Sequence, residues 1–461
     1  MNENIDIYLD NAKKARQDFN NYTQKEIDKI IKELYKVSFE NSINLAKMAV
    51  KETGIGKWED KVTKNILASK YIYNDIKKLK TVGIVLNNAK KGIIEIAHPI
   101  GTILALVPST NPTSTIIFKI LITLKTRNPI IISTPSLAKD VCSYTAKLLY
   151  ETALKAGAPE HCIQWIANPS REKTHYLMKD KRVSLILATG GNSLVKSAYS
   201  SGTPAFGVGS GNVPVVIDSS ADINFAIGEI IKSKTFDNGT ICASEQAIIV
   251  EEEKEQELFK SLDVNHAYIL SVEEISKLED IVYDKVKNRA SADIVGKSVE
   301  YIAKKANIQI PKDISLLVVK QEFIGENYPF SLEILAPIIA LYITKDFNNS
   351  IDTASKILEN GGKGHTASIF SNTTKNIIKY SKRMNTARVV VNTPSSQGAV
   401  GGIYNHLTPS LTLGCGSYGG NITTDNISAK HLLNIQRVAK PISQLESLKE
   451  KVIYRIKELT Y

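Results

Sequence analysis

The segment TILALVPSTNPTSTIIFKILITLKTRNPIIIS, residues 102–133, places two apolar strands on either side of a helix that begins from about Thr115. Both strands are apolar along their whole length, which is typical of parallel strands covered on two faces. The loop VPSTNPTST leads from the first strand into the helix. This unit therefore predicts a parallel sheet with helices packed on both sides of it.

The same alternation of strands and helices continues to about Ile217. Further strands are predicted at CIQWIA, VSLILA and VPVVI, with helices from Leu137, near Arg171 and from Ser193. This pattern predicts a doubly wound α/β domain, in which ligands bind beyond the carboxyl ends of the strands. Thr189, Gly190 and Gly191 end one strand and form a candidate phosphate-binding turn. The turn is shorter than the GxGxxG fingerprint, so a tight strand-to-helix turn is the alternative.

Two other units adjoin this domain. The segments TVGIVL and GIIEIA flank NNAKK and predict a β-hairpin, and a second series of strands and helices begins near residue 222. The tail that follows the last predicted strand is rich in Gly, Ser and Thr. We therefore expect a dinucleotide-binding domain at 1–81 and 102–221, a catalytic α/β domain at 222–410, and a unit made of the 82–101 hairpin and the 411–461 tail.

The stretch FDNGTICASEQ, Phe236 to Gln246, joins a helical pattern to an apolar strand pattern. Its small, polar residues would present the sulfur of Cys242 and offer backbone N–H groups to a thiolate, which is the nucleophilic form of cysteine. Cys242 is therefore a candidate nucleophile. The alternative is an ordinary thiol, because free cysteine is among the most buried residue types.

The composition argues against several functional classes. The chain has 461 residues, of which 43% are hydrophobic and 23% charged, so roughly two or three globular domains are expected. Its four cysteines lack CxxC pairing, which argues against a metal site and against disulfides. The sequence has neither a bilayer-spanning apolar run nor a signal peptide, which predicts a cytoplasmic protein without a membrane partner. The net charge of +11 is spread among acids, so we expect no nucleic-acid partner.

Motifs along nearly the whole chain resemble those of coenzyme-A-acylating aldehyde dehydrogenases. They are EDKVTKN, PSTNPTSTIIFK, LKTRN, KAGAPE, LILATGG, VKSAYSSG, GVGSGNVPVVID, SKTFDNGTICASEQ, GKGHTASIF and PSLTLGCGSYGGN. They are most similar to the aldehyde half of bifunctional aldehyde-alcohol dehydrogenases. No iron-dependent alcohol dehydrogenase half follows before Tyr461, so the reaction is expected to stop at the aldehyde. The resemblance implies a Rossmann-type cofactor domain, a catalytic domain, and a small β oligomerisation element from the hairpin and tail, hence a homodimer or homotetramer.

The resemblance also implies roles for individual residues. Cys242 would be the nucleophile, Glu333 in SLEILAP would hold the nicotinamide ribose, and the Thr189-Gly190-Gly191 turn would bind the cofactor pyrophosphate. His365 in KGHTASIF is expected near the cysteine, where it would pair with the thiolate or receive the coenzyme A proton. A hydrogen-bonded turn histidine is the alternative.

Three further side chains have open roles. The wider superfamily places an oxyanion-hole asparagine two residues after the proline that is here Pro108. That position is Thr110, the asparagine is Asn111, and both stay candidates. Glu245 would orient the cysteine loop or cap an element, and a close-packed glycine turn accounts best for Cys415.

One departure from the wider superfamily decides the expected reaction. Hydrolytic aldehyde dehydrogenases carry a water-activating glutamate six residues before the proline of the strand that precedes the cysteine loop. Counted back from Pro214, that position is Val208. Because valine cannot deprotonate water, hydrolysis should lose roughly two to four orders of magnitude, which leaves time for coenzyme A to accept the acyl group.

The expected reaction is reversible oxidation of a short aldehyde with NAD(P)+ and coenzyme A to an acyl-CoA. Acetaldehyde is the first choice, and butyraldehyde, propionaldehyde, succinic semialdehyde and sulfoacetaldehyde are alternatives. A non-acylating enzyme that releases free acid, and a non-catalytic protein that has kept the fold, are competing hypotheses. NAD is the expected cofactor, and NADP stays open because no acid follows PIIIS in STPSLAKD.

Overall fold

The computed structural model describes residues 5–284, 289–441 and 445–459. Within these ranges, no helix combines the length and the apolar character that a membrane span requires.

The first part of the chain contains a bundle of helices and a five-stranded parallel sheet with the order β5-β4-β3-β6-β7. Its elements are α1 Ile5–Phe19, α2 Gln24–Glu40, α3 Ser42–Thr53, α4 Trp58–Ile66, a π-helical segment Leu67–Tyr71, α5 Ile72–Ile76, β1 Gly83–Asn88, β2 Ile93–Pro99, β3 Thr102–Leu106, α6 Pro112–Lys125, β4 Ile130–Ser133, α7 Lys139–Ala156, β5 Ile163–Trp165, α8 Arg171–Lys179, β6 Val183–Thr189, α9 Asn192–Tyr199 and β7 Ala205–Val208.

Strand β3 shows why this sheet is buried on both faces. Its side chains alternate, so that Ile103 and Ala105 pack in one core with α2, α6 and α7, whereas Leu104 and Leu106 pack in another with α1, α8 and α9. All four side chains are 0–1% exposed. The doubly wound α/β architecture predicted from the apolar runs is confirmed. Helix α6 begins at Pro112 and not at Thr115, because proline is favoured in the first turn of a helix.

The second part of the chain builds a seven-stranded parallel sheet with the order β10-β13-β14-β9-β8-β15-β16. Its elements are β8 Val213–Ile217, α10 Ile223–Thr235, β9 Glu245–Glu251, α11 Glu255–Val264, β10 Ala267–Ile269, α12 Val272–Val282, β11 Tyr283–Asp284, β12 Arg289–Ala290, α13 Val299–Lys305, β13 Leu316–Lys320, β14 Ile338–Thr344, α14 Phe347–Asn360, β15 Gly364–Phe370, α15 Thr374–Arg383, β16 Thr386–Val391 and α16 Ser395–Gly398.

The predicted boundary between the two domains, after residue 221, is wrong for strand β8. This strand hydrogen-bonds to β9 and β15 of the second sheet, and not to the first sheet. The chain therefore crosses between the sheets at residues 209–212. Alternation of strands and helices along the chain could not reveal the crossing, because it does not say which sheet a strand joins.

Two short edge strands were not predicted. Strand β7 has four residues and contains a glycine, and strand β10 has three residues. Segments of this length carry too few side chains to establish a period of two.

A three-stranded antiparallel sheet with the order β1-β2-β17 completes the fold, where β17 is Leu433–Ala439 and is followed by α17 Leu445–Leu459. The predicted hairpin is present, and the tail joins it through seven paired residues of β17 along β2. Its role in oligomerisation stays a prediction.

Candidate active site

The cysteine loop lies between α10 and β9 and takes an unusual backbone path. Asp237, Asn238 and Gly239 have φ values of 50°, 52° and 74°. A left-handed conformation costs a non-glycine residue roughly 1–2 kcal/mol, so the first two residues need support. A side chain on Gly239 would meet the carbonyl of Ala336 at 2.7 Å, so only glycine fits there.

A buried carboxylate supplies the support for this path. Asp237 Oδ1 accepts from the backbone N–H of Lys57 at 2.7 Å, and Oδ2 accepts from the ammonium groups of Lys61 and Lys64 and from the hydroxyl of Thr240. Three of these donors come from α4 and the residue before it, in the first part of the chain. The lysines hold the pKa of Asp237 below its ordinary value despite its burial, so Asp237 is an anion.

Cys242 is partly exposed, and its Sγ lies 3.2 Å from Nε2 of His365, the second residue of β15. Gly211 of the crossing segment packs against the same loop, because a Cβ at Gly211 would lie 1.9 Å from the carbonyl oxygen of Cys242. The structure thus brings the predicted nucleophile and the predicted histidine together.

Burial disfavours charge on both members of the Cys242–His365 pair. Burial raises the pKa of the Cys242 thiol to about 12, and the Glu333 carboxylate adds to the rise. Burial lowers the pKa of His365 to about 3, and the charge of Arg388 contributes. The backbone N–H of Cys242 lowers the pKa of its sulfur, but desolvation raises it by more. The nucleophilic role of Cys242 stays a prediction.

A cavity of about 70 Å³ opens on Cys242. It is lined by Thr63, Lys64, Leu67, Asn111, Thr115, Thr189, Val208, Phe236, Ile241, Cys242, Ser396, Gln397, Val400, Ile403, Leu411 and Leu413. Asn111 and Thr189 therefore share the cavity with Cys242, whereas Thr110, Glu333 and His365 are not among its lining residues. Val208 belongs to a buried apolar cluster that packs against Cys242, so methyl groups occupy the predicted position of a water-activating base.

Asn111 is held in place from both sides. It directly precedes α6, its Oδ1 accepts from Lys64 Nζ at 2.6 Å, and its Nδ2 donates to Thr110 Oγ1 at 3.2 Å. Among the described residues, one of its two amide N–H bonds has no partner and is available to a ligand. The backbone oxygen of Thr110 accepts from Lys61 at 2.8 Å. Burial lowers the pKa of Lys64 to about 8.

The predicted pyrophosphate turn lies at the carboxyl edge of the five-stranded sheet. Thr189 ends β6, Gly191 precedes the first residue of α9, and the space where a Cβ of Gly191 would project is open. A cleft of about 790 Å³ lies beside it. The cleft is lined by Leu106, Val107, Ser133, Thr134, Pro135, Ser136, Pro169, Ser170, Arg171, Glu172, Thr174, His175, Ser193, Leu194 and Ser197. Its size, the open glycine and the helix N-terminus fit the phosphate-bearing part of a dinucleotide.

Glu333 and Glu245 occupy different surroundings. Glu333 Oε1 accepts from the backbone N–H of Gly211 at 2.8 Å, and burial raises the pKa of this partly exposed carboxyl to about 7. Glu245 is fully buried and accepts from the backbone N–H of Ser395, the first residue of α16, at 2.8 Å. This contact agrees with the capping alternative for Glu245. Cys415 is buried in a turn where a Cβ on Gly364 would lie 2.2 Å from its carbonyl oxygen, as a close-packed turn requires.

Residues 1–404 match the aldehyde dehydrogenase family. This chain belongs to that family. The chain is 44% identical to the bifunctional aldehyde-alcohol dehydrogenase of Escherichia coli (strain K12), over 95% of this chain and 49% of that protein. It therefore spans about half the length of that relative. It is also 36% identical to the succinate-semialdehyde dehydrogenase (acetylating) of Clostridium kluyveri, over 93% of this chain and 94% of that protein.

Solved structures agree with this membership. An acetylating aldehyde dehydrogenase from Geobacillus thermoglucosidasius is 45% identical, with a TM-score of 0.93 over 96% of this chain and 97% of that chain. A propionaldehyde dehydrogenase from Rhodopseudomonas palustris, solved with bound CoA and an acylated cysteine, is 27% identical, with a TM-score of 0.86 over 95% of this chain and 97% of that chain. The predicted aldehyde dehydrogenase-like fold is confirmed.

Sequence reasoning missed the lysines and the aspartate that shape the site of this aldehyde dehydrogenase. Lys61 and Lys64 lie three residues apart on one face of α4, and they are 2% and 4% exposed. Two lysines at helical spacing inside EDKVTKN are typical of an exposed helix face, so the sequence did not indicate that they are buried. Their partner Asp237 is more than 170 residues away along the chain.

Proposed function

We propose that this aldehyde dehydrogenase is CoA-acylating and reversibly converts a short aldehyde, NAD(P)+ and coenzyme A into an acyl-CoA and NAD(P)H. The observation that carries the proposal is Val208, whose side chain lines the cavity of Cys242. Among the described residues that line this cavity, none has a carboxylate to activate water. The acylating relatives and the structure with CoA and an acylated cysteine support the same reaction.

Cys242 performs the bond changes on the protein side. After the thiol has lost its proton, Sγ bonds to the aldehyde carbon, and the carbonyl oxygen becomes an oxyanion. The backbone N–H of Cys242 and the remaining N–H of Asn111 would donate to this oxyanion. We favour Asn111 over Thr110 because only Asn111 lines the cavity.

A bound NAD(P)+ would supply the acceptor for the hydride that leaves the carbon carried by Cys242, so that an acyl thioester would remain on the sulfur. Thr189, Gly190 and Gly191 would hold its phosphates, and Glu333 would hold the nicotinamide ribose. Val208 keeps a general base away from the thioester, so it survives until the sulfur of coenzyme A attacks it and displaces the thiolate of Cys242. Two separate half-reactions of this kind predict ping-pong kinetics.

The lining of the cavity supports an uncharged substrate. Most of its side chains are apolar, and the one cationic side chain in the lining, Lys64, already donates to Asp237, Asn111 and Thr240. A carboxylate or sulfonate on the aldehyde would therefore find no free cation among the described lining residues. Acetaldehyde and propionaldehyde fit this cavity better than succinic semialdehyde or sulfoacetaldehyde.

The proposal includes a homodimer or homotetramer in the cytoplasm, assembled through the β1-β2-β17 sheet. Support comes from β1, an edge strand whose Ile84 and Leu86 are 55% and 45% exposed. Apolar side chains on an open edge favour pairing with another surface.

The decisive experiment is NADH formation from acetaldehyde with and without coenzyme A, for the wild type and for Cys242→Ala. Turnover that requires coenzyme A, yields acetyl-CoA and vanishes in the variant is expected. Equal turnover without coenzyme A, with acetate as the product, would overturn the acylating mechanism.

A further inference from the structure

His365 lies between Cys242 and a pair of neighbouring side chains on β15 and β16. Its Nε2 faces Cys242 Sγ at 3.2 Å, and its Nδ1 lies 2.9 Å from the hydroxyl oxygen of Thr366. Thr366 is opposite Arg388 in the parallel register of the two strands. We propose that Thr366 and Arg388 fix the imidazole of His365 with its proton on Nε2, so that His365 donates a hydrogen bond to Cys242 Sγ and is not the base that takes its proton. This inference rests on the proposed nucleophilic role of Cys242.

Arg388 starts the chain of hydrogen bonds. Its guanidinium is buried and donates through Nη1 to the His365 carbonyl at 2.8 Å and to Thr366 Oγ1 at 3.4 Å. Nη2 donates to the carbonyl oxygens of Gly414 and Thr424. Arginine has donors only, so Thr366 Oγ1 is the acceptor in this contact.

The hydroxyl proton of Thr366 therefore needs a hydrogen-bond acceptor. Thr366 is 0% exposed, and its side chain has two hydrogen-bond partners among the described residues, Arg388 and His365. If Nδ1 of His365 carried a proton, both neighbours would donate to Oγ1, and the buried hydroxyl proton would have no acceptor. A buried donor without an acceptor is unfavourable. The hydroxyl therefore donates to Nδ1, and the proton of the neutral ring is on Nε2.

The charges around the pair oppose a role for His365 as a base. The groups that face Cys242 and His365 are Arg388, Glu333 and Cys415. A proton moved from Cys242 to His365 would create an imidazolium beside the buried guanidinium of Arg388. A neutral Nε2–H donor avoids this repulsion and favours the thiolate directly. The thiol proton would then leave to water through the partly exposed side of Cys242.

Thr366 is therefore a positioning residue. Two variants distinguish the effect of its hydroxyl from the effect of its packing. Thr366→Val keeps the shape and removes the hydroxyl, whereas Thr366→Ser keeps the hydroxyl. Ser368→Ala is the matched control, because it removes a buried hydroxyl that donates from β15 to the Val390 carbonyl without contact to His365.

The first measurement is the rate of Cys242 alkylation by iodoacetamide at fixed pH values between pH 7 and pH 10, with peptide mapping to confirm the site. Below the pKa of the thiol, this rate is proportional to the thiolate fraction. In Thr366→Val the rate should therefore fall about tenfold at every pH, which corresponds to a rise of about one unit in the pKa of Cys242. Thr366→Ser and Ser368→Ala should stay within about twofold of the wild type. An unchanged rate in Thr366→Val, or an equal fall in Ser368→Ala, would overturn the proposal.

The second measurement is the nitrogen NMR spectrum of [15N]histidine-labelled wild-type protein, with His365 assigned from its loss in His365→Asn. A protonated Nε2 and an unprotonated Nδ1 are expected, and the opposite tautomer would overturn the proposal. Neither measurement needs turnover. If the expected tautomer is found but the protein does not oxidise aldehydes in a CoA-dependent reaction, the proposed function is contradicted and the proposal for His365 is not.

Discussion

Lys64 Nζ on α4 lies 2.6 Å from Asn111 Oδ1, and the same ammonium group donates to Asp237 in the cysteine loop. One side chain thus connects the proposed oxyanion donor with the loop that carries the nucleophile. Because the amide oxygen of Asn111 is occupied by Lys64, its N–H side is left to face the cavity.

Replacing Asn111 by Ala should lower kcat by about 10²–10³-fold, because one oxyanion donor is lost. Thr110→Val should have a smaller effect, since the Thr110 hydroxyl accepts from Asn111 and does not line the cavity of Cys242. Initial rates of NADH formation from acetaldehyde and coenzyme A give both values. A Thr110 variant that is as slow as the Asn111 variant would contradict this assignment.

The two lysines of α4 offer a matched comparison. Lys64→Met should lower kcat about tenfold or more, because Asn111 loses a charged donor. Lys61→Met removes a partner of Asp237 without touching Asn111, so kcat should fall much less. Both variants should lower the thermal midpoint, because Asp237 is fully buried and loses one of its two cations. Equal losses of kcat in the two variants would show that Lys64 acts only on stability.

Val208→Glu should introduce hydrolysis. A carboxylate beside Cys242 would activate water, and acetate formation without coenzyme A should rise by about 10²–10⁴-fold over the wild type. Val208→Gln has the same size without a basic oxygen and is the control. Product analysis by chromatography distinguishes acetate from acetyl-CoA, and equal acetate release by the two variants would rule out general-base catalysis.

The stability of Glu245→Gln should depend on pH in a defined direction. Burial raises the pKa of Glu245 from 4.5 to about 7, so the folded state binds more protons than the unfolded state between these values. The carboxyl therefore lowers stability progressively as pH rises from about 4.5 to about 7. Glutamine is neutral at every pH. The free energy of unfolding of the variant should therefore exceed that of the wild type by up to about 3 kcal/mol at pH 8 and should be nearly equal to it at pH 4. Thermal unfolding of both proteins at several pH values measures this, and a constant difference would contradict it.

Ile403→Ala should shift the substrate preference towards longer aldehydes. Ile403 lines the Cys242 cavity and also a neighbouring cleft, so truncation of its side chain would extend the cavity towards that cleft. The ratio of kcat/KM for butyraldehyde to that for acetaldehyde should rise about tenfold, in line with the effect of a methylene group in an apolar pocket. An unchanged ratio would mean that the aldehyde approaches from another side.

Local sequence patterns predicted most of the fold because the central strands are long and continuously apolar. Strands such as β3 and β14 bury nearly every side chain, and that burial is visible as an unbroken apolar run. Strand β8 has the same pattern, yet its partners β9 and β15 are chosen by tertiary packing, so its sheet could not be predicted.

The parts of the candidate site that lie in one local segment could be predicted from the sequence, whereas the contacts between distant segments could not. Cys242 and Gly191 stand in loops with a recognisable local composition. The contact of His365 with Cys242 spans 123 residues along the chain and was expected from the family resemblance only. The raised pKa of Cys242 could not be foreseen, since desolvation depends on the atoms packed around the sulfur.

The carboxylate of Asp237 has a consequence for the order of assembly. Its cationic partners, Lys61 and Lys64, belong to a helix that precedes the first sheet, while Asp237 itself precedes the first residue of β9 in the second. A fragment that contained only the second sheet would lack both cationic partners of Asp237, and its cysteine loop would lack the contacts that hold its left-handed residues. The cysteine loop can therefore adopt this conformation only after α4 has packed against the second sheet. Formation of the catalytic centre thus depends on contacts between parts of the chain that are far apart in sequence.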